Sequence, residues 1–141
     1  MADFPAPQSA ASTSAAPVSA GLLAYLLFGI AAVMGFAAHG LWFFAPLVGI
    51  VGIVGLIVCY VKRDDAAGTW VASHFRWLIG LFWWSLAWTL LGLAILFTLG
   101  WILIGIPIAI AIFIAVDIWV IYRLVKGYLL FKESRAIPGV A

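Results

Sequence analysis

Few residues of this 141-residue chain can do chemistry, and the most demanding of them is Asp117. It lies in the stretch IAIAIFIAVDIWVIYR, six residues before Arg123, which on a helix sets it about 9 Å deeper along the axis. A carboxylate inside hydrocarbon costs about 2.5–3.5 kcal/mol on insertion scales, so it must be neutral, paired or in a wet cavity. If the last two helices pair about a turn at Gly100, Arg123 falls level with Arg76, and Asp117 lies near Phe82. Arg76 or His74 can then point inward to Asp117, whereas Arg123 would have to reach down its own helix. His74, Arg76, Asp117 and Arg123 therefore make one candidate polar cluster at the membrane. It would either bind an ion, a proton or a lipid headgroup, or fix the register of the third helix against the fourth as a buried ion pair. One acid without a chain of further polar residues is a poor transport path, which favours the register role.

The other reactive side chains are fewer still. Lys62, Arg63, Asp64 and Asp65 sit in YVKRDDAAGTWVASHFRW, residues 60–77. They read as a solvated hinge that sets orientation, with a partner-docking or metal role as the alternative; two adjacent aspartates without further ligands make a weak metal site. Arg123, Lys126, Lys132 and Arg135 can contact anionic lipid headgroups, at roughly 1 kcal/mol each near the surface. His39 could titrate a proton or simply occupy a turn at the water boundary. Cys59 is the single cysteine, which excludes an intrachain disulfide and any paired-cysteine motif and leaves a small buried apolar residue. There is no HExxH, no GxSxG, no glycine-rich phosphate loop and no nucleophile beside a base. No enzymatic activity, cofactor or resident metal is expected.

Composition says what must hold these residues. The chain is 67% hydrophobic and 9% charged, with mean hydropathy +1.26. A water-soluble domain is about a quarter charged, and a small one this apolar would expose large patches. A bilayer removes that conflict, and only helices and closed barrels span it. The runs are apolar on every side rather than alternating, so helices are expected. A formal charge of +2, with no basic face beside a stacking platform, gives no reason to invoke nucleic acid.

Taken in order, residues 1–19 are rich in Ala, Ser and Pro and predict a disordered tail. No Lys or Arg precedes the apolar region, and the small residues come before it, so no signal cleavage is expected. Residues 21–61 carry no charge; at roughly 20 residues per span this is two spans and a turn at AAHGLWFFAP. Helix one is expected at about 20–38 and helix two at about 44–60, with Trp42, Phe43 and Phe44 as an interfacial belt and Pro46 in a first turn. Gly49, Gly52 and Gly55 share one sector of helix two and offer a flat packing face, as Ala31 and Gly35 do on helix one. Asp65 or Thr69 can cap a long third helix running to about Leu99, its first turns interfacial, with Trp70 and Trp77 as anchors. Gly100 and Trp101 mark a second turn. A fourth helix, starting near Trp101 or Pro107, runs to about Phe131, and a short charged tail follows from residue 132.

The result is an all-α polytopic architecture, four transmembrane helices arranged as two hairpins. All seven basic residues then lie at the hinge and the C-terminal end, on one side of the membrane. The positive-inside rule puts both termini in the cytoplasm.

Three segments together resemble the DUF4870 family of small bacterial membrane proteins: AYLLFG from Ala24, YVKRDDAAGTWVASHFRWLIGLFWWSLAW from Tyr60, and IWVIYRLVKGYLLF from Ile118. That family has been linked to Tic20-like proteins and includes a magnetosome membrane protein. The resemblance covers about residues 21–131, and the positions that match its motif are Arg63, Asp64, His74, Arg76, Trp77, Tyr122, Arg123 and Lys126. It implies a polytopic bacterial inner-membrane protein, with no catalytic role attached to those residues. The functional expectation is a non-enzymatic protein that acts by interaction, as an assembly factor or accessory subunit, with lipid, further copies of itself or other membrane proteins as partners. An oligomeric transporter or channel component, in the manner of Tic20-like translocation, is the alternative.

Overall fold

In the computed structural model, residues 15–41, 43 and 45–140 are described. Among them the structure is all-helical. The helices are α1 (Ala15–Ala38), α2 (Ala45–Lys62), α3 (Val71–Leu99), continued by a 3-10 turn at Gly100–Ile102, and α4 (Gly105–Lys132). All four are long and apolar enough to cross a membrane. Most of the expected tail, together with Trp42 and Phe44 of the belt, lies outside the described residues. Helix α1 begins at Ala15, ahead of the expected boundary, with Pro17 in its first turn, where the missing N–H costs nothing. Pro107 is likewise in the first turn of α4. Neither Asp65 nor Thr69 caps α3. The residue ahead of it is Trp70, with no side-chain cap, and the Thr69 hydroxyl instead donates to the Ala66 carbonyl at 2.7 Å.

The two hairpins pack side by side. Helix α1 lies along α2 and α4, α3 lies along α4 and α2, and α1 meets α3 across the diagonal, while α2 and α4 do not touch among the described residues. Small residues permit the close approaches. Gly55 sits under Phe28 and Leu27 of α1, and Gly52 lies against Phe82 of α3. Gly49, expected on the same packing face, is exposed with no neighbour within 4 Å of where its Cβ would stand. Steps of three residues rotate the stripe by about 60° each, so at Gly49, one turn after the helix start at Ala45, it faces away from α1 and α3. On α1, Ala31 is buried, and Gly35 admits both Val48 and Asp117.

The hairpins are staggered along the bundle axis. His39, just past the end of α1, is level with Asp117 and Phe113, and Phe113 packs into Gly92 of α3. Helix α4 starts at Gly105, twelve residues before Asp117, so the α3–α4 turn overshoots the α1–α2 turn by about 12–18 Å. The overshooting end is apolar: Phe97, Trp101, Ile102, Leu103 and Ile104 are all exposed, and no charged residue occurs from 92 to 112. The end with both turns is called the turn side below, and the other the charged side.

Candidate functional site

The four residues expected to cluster are not brought together. His74 is buried near the charged side, Arg76 is on the exposed face of α3, and Asp117 meets the α1–α2 turn. Arg123 is stacked on tryptophan, its Cζ 3.6 Å from the centroid of the Trp77 ring and 4.9 Å from that of Trp119. The expected level of α3 against α4 holds, since the Trp77 indole N–H donates to the Arg123 carbonyl at 3.2 Å. What fails is the facing. His74 lies eight residues before Phe82, about 12 Å from the level of Asp117, and Arg76 points away from the bundle. The polar groups instead form separate islands.

The first island is a latch on the charged side. His74 is fully buried among edge-on rings, with centroids 5.6 Å from Trp70, 5.2 Å from Phe131 and 5.9 Å from Tyr25. Its Nε2 lies 2.7 Å from the Arg135 carbonyl and its Nδ1 2.8 Å from the Tyr25 hydroxyl. A carbonyl can only accept, so Nε2 carries the hydrogen, and in the neutral ring Nδ1 accepts from the Tyr25 O–H. On the adjacent residue, Ser73 Oγ donates to the Trp70 carbonyl at 2.8 Å and accepts the Ile137 N–H at 3.0 Å. Ile137 is buried. The residues expected as a short charged C-terminal tail thus fold back and are fastened to the start of α3. Tyr25 completes the latch from α1, and it reaches α4 because residue 127 is glycine; a Cβ there would come within 2.5 Å of the Tyr25 hydroxyl and 2.9 Å of Trp77 Nε1.

The second island is the His39–Asp117 pair. His39 Nδ1 lies 3.1 Å from the Gly35 carbonyl and 3.2 Å from that of Phe36, so it carries a hydrogen and caps the carbonyl end of α1. The same nitrogen stands 3.3 Å from Asp117 Oδ2. That oxygen is buried without a hydrogen bond among the described residues, because the imidazole N–H is turned towards the helix carbonyls. The histidine that faces Asp117 is therefore His39, read from the sequence as a turn residue or a titrating site, and not His74.

No family model, curated protein or solved structure matches this chain. Its functional reading accordingly rests on geometry. The hinge residues make short local ion pairs, Lys62 Nζ with Asp65 Oδ2 at 3.1 Å and Arg63 Nε with Asp64 Oδ1 at 3.5 Å, all well exposed. Exposed pairs of this kind contribute about 0–1 kcal/mol, so the shape of this loop comes from its backbone bonds, Ala66 N–H to the Lys62 carbonyl at 3.3 Å and Thr69 N–H to the Ala66 carbonyl at 3.0 Å, and from the buried Ala66. Among the described residues no three His, Cys, Asp or Glu side chains converge as metal ligands. Cys59 is buried and reduced against the core.

Two residues that complete the latch, Tyr25 and Ser73, went unmarked by sequence reasoning. The signal for Ser73 was faint: a polar pair, Ser73–His74, at the mouth of an otherwise apolar helix. Tyr25 had no signal beyond its being the single hydroxyl-bearing ring in α1.

Proposed function

We propose that the chain is a non-enzymatic integral protein of a bacterial inner membrane, with both termini cytoplasmic, that acts as an assembly factor or accessory subunit. The resemblance to the DUF4870 family agrees with that reading. The observation that carries it is the separation of the polar islands. Between the Tyr25–His74 latch and the His39–Asp117 pair lie Phe28, Ala32, Leu81 and Phe82, packed on one another, and Tyr25 to Gly35 alone spans about 15 Å of helix. A polar solute crossing one copy of the bundle would meet no continuous set of partners among the described residues, and intramembrane polar groups are where transport paths are built. The groups that are present hold helices and the tail in place.

The test is flux. Purified protein in liposomes should pass no more protons or small ions than empty liposomes, and Asp117→Asn should leave that background unchanged. Flux above background that Asp117→Asn abolishes would replace the accessory reading with the oligomeric channel alternative. Orientation is checked separately. Reporter fusions at His39 and Gly100 should report the periplasm and one at Ala141 the cytoplasm, as the positive-inside rule requires; the reverse pattern would invert the topology.

A further inference from the structure

The stagger of the hairpins leaves a step on the turn side. Lipids that cover α3 and α4 must reach past Phe97 to Trp101 and Leu103, which are apolar and exposed. Lipids beside α1 and α2 meet a helix that ends at Ala38, about 12–18 Å short of that level. A helix end cannot be left bare in hydrocarbon, because its last carbonyls need partners. His39 satisfies two of them, and Gly40 and Leu41 donate back to the Ala37 carbonyl at 3.1 and 3.2 Å. A span shorter than its neighbours is accommodated where the bilayer thins beside it, and thinning here would bring headgroups to the turn.

What a headgroup meets there is an acid. Asp117 retains partial exposure, 19% of its side chain, beside a His39 that is 32% exposed. Oδ2 faces the imidazole and is buried without a hydrogen bond among the described residues, and Oδ1 lies 3.6 Å from where a Gly35 Cβ would stand. All seven basic side chains of the chain, Lys62, Arg63, Arg76, Arg123, Lys126, Lys132 and Arg135, lie elsewhere. Arg123, the nearest of them along α4, is occupied by Trp77 and Trp119. A cation with N–H groups is what this carboxylate lacks, and the lipid surface supplies one.

We propose that the notch beneath the α3–α4 turn seats the headgroup of a phospholipid bearing a primary ammonium, whose N–H groups bond the Asp117 carboxylate while its acyl chains cover α1 and α2. This goes beyond the accessory role and does not depend on it, since a channel subunit would present the same notch.

Native mass spectrometry of the full chain, released from nanodiscs, tests it with two probes, phosphatidylethanolamine and phosphatidylcholine of identical acyl chains. The second carries a quaternary ammonium with no N–H. Wild type should retain the ethanolamine lipid over the choline lipid by about ten-fold, the worth of one hydrogen bond to a charged group. Asp117→Asn should bring the ratio to about one. Equal retention by wild type, or an unchanged ratio in the variant, overturns the proposal. The wild-type arm decides even where the variant does not fold. A second measurement locates the notch. In a Cys59→Ala background, Gly40→Cys should react with a membrane-impermeant maleimide from the turn side, while Ile110→Cys, closer to the α3–α4 tip but facing lipid, should not. No reaction at Gly40→Cys, or equal reaction at Ile110→Cys, removes the notch and the lipid site with it.

Discussion

His74→Ala should destabilise the bundle by about 3–5 kcal/mol and release the C-terminal segment, while Tyr25→Phe alone should cost about 1–3 kcal/mol. The alanine leaves a cavity among Trp70, Phe131 and Tyr25, all packed edge-on against the ring. It also strands two polar groups that have lost their partner, the Tyr25 hydroxyl and the Arg135 carbonyl. Tyr25→Phe keeps the ring and strands a single acceptor, His74 Nδ1, so its cost is that of one unpaired buried group. Replacing both at once, Tyr25→Phe with His74→Phe, removes the Tyr25–His74 donor and acceptor together, leaves only the Arg135 carbonyl unmatched and refills the cavity, and should cost less than His74→Ala. Denaturant unfolding in micelles measures the energies. Amide exchange at Ile137 reads the latch directly, since its N–H is held by Ser73 Oγ one residue from His74; it should exchange fast in His74→Ala and slowly in the wild type. Slow exchange in His74→Ala would mean that Ser73 and the apolar contacts hold the tail without His74.

Much of this architecture was legible because it follows from where charge is absent. Forty uncharged residues after Gly21 can only be two spans and a turn, and the basic residues can only sit together on one side. Helix ends at Ala38, Ala45 and Leu99 fall close to those expectations for the same reason. The partner of Asp117 was not legible. Pairing α3 with α4 about Gly100 gave the right levels, as Trp77 against Arg123 shows, but two things outside that pairing decided the site. One is rotation: Arg76 faces out, and a uniformly apolar helix carries no amphipathic stripe to say which face is inside. The other is the stagger between hairpins, set by how ring and glycine interlock across helices far apart in sequence. His39 comes to Asp117 only because α1 and α2 stop short. The fastened tail was missed for a related cause, since a charged segment after a last span reads as solvated until Ser73 and His74 are seen to face it.

Glycine at position 127 should be less replaceable than any glycine of the 49–55 stripe. Gly127→Ala should lower stability by about 1–3 kcal/mol, whereas Gly49→Ala should leave it unchanged or raise it by up to about 1 kcal/mol. The added methyl at 127 would stand 2.5 Å from the Tyr25 hydroxyl and 2.9 Å from Trp77 Nε1, and neither group is free to move. The hydroxyl is committed to His74, and the indole N–H to the Arg123 carbonyl. Relief therefore means breaking a buried hydrogen bond or parting α4 from both α1 and α3. At 49 the same methyl meets nothing within 4 Å and only removes the entropy cost of glycine in a helix. Regular spacing of small residues marks where helices are able to approach, but the approach itself is fixed by what the opposite helix brings to the contact. The comparison is read as the midpoint of thermal unfolding in micelles for both variants beside wild type. A larger loss at 49 than at 127 would mean that α2, rather than the junction of α1, α3 and α4, is the packed centre of the bundle.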